Sequence, residues 1–281
     1  MSTNKNDLAT LGKVFLVGAG PGAADLITVR GAKLLAQADI VFYDSLVEPE
    51  MLALCPQAIL VPVGKRCGKL SSAQYFINKR LVDAAHQYSM IVRLKGGDPM
   101  LFGRADEELS ALKNAGIEVG VVPGITAALA AAASLGQSLT LRGVSRSVAF
   151  VTLAQGEDST PSVQPISTPA ADTLIYYMGR KDAVKIAHQL IEHSSNQTRD
   201  TPVFILESVS TTRERKWSGT LGELAIGKAG PWFNSASPAL IMIGSAFSKA
   251  DQCVENLEVL DTKLDNRLQD SFTLTNSRRC A

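Results

Sequence analysis

The chain has 281 residues, 46% of them hydrophobic, with 28 Lys and Arg against 27 Asp and Glu. That is enough apolar material for a sizeable core or two modest ones, and the even charge balance argues against a broad nucleic-acid-binding face. The four cysteines lack metal-like spacing, no apolar run reaches bilayer length, and the N-terminal residues lack a signal-peptide core. A cytoplasmic protein with reduced thiols is expected, with no metal, no nucleic acid and no membrane partner.

Residues 1–12 read as a flexible tail. A β-branched run at 14–17 breaks abruptly at Gly18-Ala19-Gly20-Pro21-Gly22. Val29, Ala32, Leu35 and Ala36 then recur at helical spacing and predict a helix over 28–38. A strand at 40–43 follows and ends at Asp44. Further strands are predicted at 59–63, 91–94 and 119–122, alternating with helices over 72–88 and 106–115. Such alternation predicts a mostly parallel sheet in an N-terminal α/β domain over 13–140. Ligands in such sheets sit beyond the carboxyl ends of the strands. The loops at 18–22, 44, 64–66, 96–99 and 123–124 all fall there.

Strands at 148–152, 174–179, 202–206 and 239–243, with a helix over 182–193, predict a second α/β domain with a mixed sheet over 141–248. Residues 156–169, rich in Ser, Thr and Pro, read as an exposed loop. The polar stretch 249–281 reads as an extended or disordered tail. His86, His188 and His193 lie on predicted helices and read as exposed, with no metal-ligand pairing.

The first glycine loop can be fitted to the G-x-G-x-x-A pattern of nicotinamide-dinucleotide binders, with Asp44 as the ribose-binding acid. Pro21 counts against that reading, because it removes an amide from the loop that would cradle a pyrophosphate. A plain strand-to-helix turn also accounts for the loop.

The motifs taken in order go further. G-A-G-P-G at Gly18 is followed by Y-D-x-L-V at Tyr43 and V-G-K-R-x-G at Val63. R-L-K-G-G-D-P-x-x-F-G-R spans Arg93 to Arg104, V-P-G-I-T-A-A begins at Val122, and Y-M-G begins at Tyr177. In that order they resemble the uroporphyrinogen-III C-methyltransferase branch of the tetrapyrrole methylases, over residues 13–246.

The resemblance implies two α/β domains with the cofactor in the cleft between them, and a homodimer. It implies two methyl transfers from S-adenosyl-L-methionine to uroporphyrinogen III, giving precorrin-2 and S-adenosyl-L-homocysteine, in sirohaem, cobalamin or haem d1 synthesis. Carried over, cofactor contacts fall on Pro21, Gly96, Gly97, Asp98, Leu101, Thr126, Ala127 and Met178, and more weakly on Val209 and Ala239. Asp44 is implied as the base and Lys65 as a complementary acid. The substrate's carboxylates would meet Arg66, Arg104 and Arg142, because guanidinium forks suit carboxylates. Leu70, Leu141 and Ala154 stand where family members often carry histidine. That departure leaves room for an alternative: a methyltransferase acting on a later tetrapyrrole, a precorrin of a cobalamin-type pathway.

Overall fold

The computed structural model describes residues 11–63, 70–153 and 169–248. They form two five-stranded sheets, one all parallel and one mixed, each covered by helices on both faces. The first contains β1 (Lys13–Gly18), β2 (Ile40–Tyr43), β3 (Ile59–Pro62), β4 (Met90–Lys95) and β5 (Val119–Val122). Their order is β3-β2-β4-β1-β5. Helices α1 (Val29–Leu35) and α2 (Pro49–Leu52) cover one face, and α3 (Leu70–Ala85) and α4 (Ala105–Asn114) the other.

Alternation along the strands explains the layering, because successive side chains point to opposite faces. Val14, Leu16, Ile40, Phe42 and Ile91 pack toward Leu81 of α3 and Leu112 of α4. Val17, Val41, Val92 and Leu94 pack toward Leu35 of α1 and Met51 of α2. The strands therefore read as nearly continuous apolar runs. Arg93 and Lys95 break the run on the α3/α4 face, and both are buried.

The second sheet contains β6 (Val148–Thr152), β7 (Thr173–Tyr177), β8 (Pro202–Glu207), β9 (Arg215–Thr220) and β10 (Ala239–Gly244), in the order β6-β7-β10-β8-β9. Only β6 and β7 pair in parallel. Helix α5 (Ala127–Leu135), which follows β5, lies on this second sheet against Phe204, Leu206, Leu240 and Met242. Helices α6 (Ala183–His193) and α7 (Leu221–Ala225) cover its opposite face.

Four elements were not expected: α2, α5, β9 and α7. The α5 segment is almost all alanine and leucine, so it favours helix strongly but shows no polar face to mark its period. The β9 segment, Arg-Lys-Trp-Ser-Gly-Thr, is an edge strand without apolar alternation. Thr220 and Glu223 form a full capping box at α7, a signal present in the sequence as T-x-x-E. The three histidines are exposed, as read from the sequence. Among the described residues no helix is long and apolar enough to cross a membrane. The 249–281 tail and most of the 156–169 loop lie outside the described residues.

Candidate active site

Strand β4 lies between β1 and β2, so the loops that follow β1 and β4 lie side by side. The Gly97 amide donates to Gly20 O at 2.7 Å, and the Gly20 amide returns a bond to Gly97 O at 3.2 Å. Pro21 is thereby held beside the Gly96-Gly97-Asp98 turn. Asp98 ties that turn to the next loop: its Oδ2 accepts from the Gly124 amide at 2.9 Å, and its Oδ1 from Met100 at 2.8 Å. Leu101 closes the turn, its amide donating to Asp98 O at 3.3 Å.

Two of these glycines have different physical reasons. A Cβ on Gly124 would lie 2.2 Å from Gly97 O and 2.8 Å from Gly18 Cα, all rigid backbone. Gly124→Ala should therefore cost about 3 kcal/mol of stability, the upper end for overpacking a tight site, measurable by urea unfolding. Gly97 is the opposite case. It sits at φ +67°, yet a Cβ there would meet nothing within 4 Å. Its exposed edge is bare backbone facing open space, which is what close approach of a ligand needs.

The second sheet contributes the opposite wall. Thr126 is the N-cap of α5 and Ala127 its first residue. Thr126 Oγ1 lies 2.6 Å from the Tyr177 hydroxyl, which also accepts the Ala128 amide at 3.1 Å. A phenol from β7 thus caps the helix, and burial raises its pKa. Tyr177 also packs on Phe102 across the cleft, with ring centroids 5.2 Å apart, and on Phe150 at 6.1 Å. Met178 follows at φ +58° and is 56% exposed, so core packing does not explain it. Buried Val209 lies between Ser208 at φ +50° and Ser210 at φ +59°. Ala239 opens β10 opposite Glu207. The turn around Val209 presses on the glycine loop: Ser210 Oγ accepts the Ala23 amide at 3.2 Å, and a Cβ on Gly22 would lie 2.8 Å from Val209 O.

Among the described residues, Phe102, Arg104, Met178, Ser208 and Ser210 are the non-glycine residues with positive φ, and all five lie in the loops that form these walls. Each costs about 1–3 kcal/mol, a strain that persists where surrounding contacts fix the backbone and that clusters at functional sites.

Asp44 stands just past the end of β2 with its side chain 27% exposed. Its Oδ1 accepts from Arg93 Nη2 at 2.5 Å. The Arg93 side chain is 2% exposed, and its Nε donates to Glu108 Oε1 at 3.0 Å. Its Nη1 donates to the carbonyls of Leu94 and Phe42 at 3.1 and 3.4 Å. Lys95 Nζ donates to both Glu108 oxygens at 3.0 Å, and Gln74 adds a bond at 3.2 Å. Burial opposes the charge on Arg93, but the Asp44 and Glu108 carboxylates outweigh it and hold the guanidinium more firmly protonated. Burial and then the Arg93 charge push the Lys95 amine below its ordinary range, against the pull of Glu108. Arg93, Lys95 and Glu108 are not among the site residues expected from the sequence. Two cations at alternate positions of an apolar strand were the available signal.

The remaining expectations divide. Lys65 and Arg66 lie outside the described residues. Arg104 precedes α4 at φ +54° and makes a two-point ion pair with Glu107, at 2.6 and 2.8 Å. Arg142 is exposed at the tip of the tight turn closed between Leu141 and Ser145, outside the contacts that join the other residues. The dinucleotide alternative loses its geometry. After the glycine loop comes a short 3₁₀ turn, and α1 starts only at Val29, where the Thr28 side chain already caps Gly31.

Comparison with known proteins agrees with this layout. Residues 13–225 match the family model described as tetrapyrrole (corrin/porphyrin) methylases. A uroporphyrinogen-III C-methyltransferase of Pseudomonas aeruginosa is 42% identical over 233 residues, covering 83% of this chain and 93% of that protein. Siroheme synthase 1 of Cronobacter sakazakii is 43% identical over 235 residues; this chain spans only 48% of its length. The crystal structure of uroporphyrin-III C-methyltransferase from Thermus thermophilus complexed with S-adenyl homocysteine superposes with a TM-score of 0.70 at 36% identity. That match covers 84% of this chain and 99% of the other. With the motif order, the paired α/β sheets and the relatives in agreement, the chain belongs to the tetrapyrrole methylase family.

Proposed function

We propose that this chain is an S-adenosylmethionine-dependent C-methyltransferase acting on uroporphyrinogen III. The observation that carries this reading is the open Gly97 edge, in a fold shared with a methyltransferase complexed with the demethylated cofactor. S-adenosylmethionine supplies a methyl group already activated on a sulfonium.

The chain's own residues then bind, orient and move a proton. Gly96, Gly97, Thr126, Ala127 and Met178 form the walls that would hold the cofactor, and close approach to bare backbone orients it. Asp98 has both oxygens engaged by backbone amides; its part is to fix the turn, and its remaining lone pairs can still accept a ligand hydroxyl. The substrate gives up a proton as each methyl group arrives, and in this reading Asp44 is the base that takes it. Lys65 is the complementary acid. Arg66, Arg104 and Arg142 meet the carboxylate rim, Arg104 by exchanging or sharing its Glu107 partner. The same reading has the chain working in the cytoplasm as a homodimer, as the family resemblance implies.

The test is cofactor turnover. S-adenosylhomocysteine should accumulate only when S-adenosylmethionine and uroporphyrinogen III are both present, and it should raise the melting temperature where NAD does not. Release that is independent of the tetrapyrrole would contradict the reading.

A further inference from the structure

Four charged side chains form one continuous chain, three of them buried and one partly exposed: Arg93, Glu108 and Lys95 inside, and Asp44 at the end. Arg93 and Glu108 are 2% and 0% exposed. Stability alone does not call for such an arrangement. Well-packed apolar residues of similar volume often serve a core as well or better, because buried charges carry a large desolvation cost. The network is balanced, two cations against two anions. Among the described residues it reaches solvent at one point, the partly exposed carboxylate of Asp44 just past the carboxyl end of β2.

The geometry there is directional. The guanidinium plane is held from three sides: Glu108 at Nε, two backbone carbonyls at Nη1, and Asp44 at Nη2. Glu108 is itself fixed by both Lys95 and Gln74. A locked fork thus pins Oδ1 of Asp44, whereas among the described residues Oδ2 carries no hydrogen bond. We propose that Arg93, locked by Glu108, is a positioning residue that aims the free oxygen of Asp44 at the proton the reaction releases. This rests on the reading of Asp44 as the base. A lysine at position 93 would keep the charge but could not hold Glu108 and Asp44 together, because it lacks the rigid fork.

A double-mutant cycle separates positioning from mere structure. Arg93→Lys should lower kcat by about ten- to a hundredfold, with S-adenosylhomocysteine affinity and KM for the cofactor within about twofold of wild type. In the Asp44→Asn background the same change should have almost no further effect, since its route of action is gone. Equal losses in both backgrounds would overturn the proposal. So would a folded Arg93→Lys enzyme with wild-type turnover, or a parallel fall in S-adenosylhomocysteine affinity. If Arg93→Lys fails to fold, Glu108→Gln enters the same cycle, with the same pattern expected and the same results overturning it. Wild-type turnover in Asp44→Asn alone would instead overturn the base reading itself, and the proposal with it.

Discussion

Asp44→Asn should lower methyl transfer by about two to four powers of ten, the usual scale for removing a general base. The substitution is nearly isosteric, and the amide oxygen can still accept the Arg93 bond now made at 2.5 Å. The cleft should therefore keep its shape, and affinity for S-adenosylhomocysteine should barely move. Stability should fall modestly. Breaking a fully buried pair costs about 3–5 kcal/mol, but Asp44 is 27% exposed, so solvent screening brings the loss nearer 1–2 kcal/mol. Single-turnover kinetics with the cofactor pre-bound would isolate the chemical step. Wild-type turnover would return Asp44 to being a structural partner of Arg93.

Gly97→Val should abolish measurable S-adenosylhomocysteine binding by calorimetry. Two effects act together. A β-branched residue at φ +67° is strained, by at least the 1–2 kcal/mol typical of left-handed backbone. The isopropyl group would also occupy the open space that the bare backbone leaves, since nothing lies within 4 Å of a Cβ there. Because the added Cβ meets no protein atom within 4 Å, circular dichroism should report an intact fold. The contrast with Gly124 sharpens the test: Gly124→Ala strikes backbone at 2.2 Å and should lower stability, whereas Gly97→Val should lower binding. Unchanged affinity in Gly97→Val would remove that turn from the cofactor site.

How far the sequence carried these conclusions depended on how local each signal was. Strands such as 40–43 and 119–122 were read with the bounds the structure has, because a β-branched run between turn residues is a self-contained signal. The glycine turns were legible for the same reason. Helix α5 was not, because its run of alanines hides the period that marks an amphipathic helix. Strand β9 was not, because an edge strand needs no apolar alternation. The Arg93 network lay further out of reach. Its partners come from the end of β2, from α3 and from α4, and nothing in local spacing pairs Arg93 with Asp44, 49 positions away. The helix cap that Tyr177 gives α5 is equally non-local, since it joins β7 to a helix that follows the first sheet.

Product mass tests the substrate assignment. The purified chain should be incubated with S-adenosylmethionine and anaerobically generated uroporphyrinogen III, and the oxidised products weighed by mass spectrometry. Two added methyl groups are expected, the result that the V-G-K-R and K-G-G-D-P blocks imply. A chain that binds S-adenosylhomocysteine normally yet adds no methyl group to uroporphyrinogen III would contradict the claim and turn the assignment to a later tetrapyrrole.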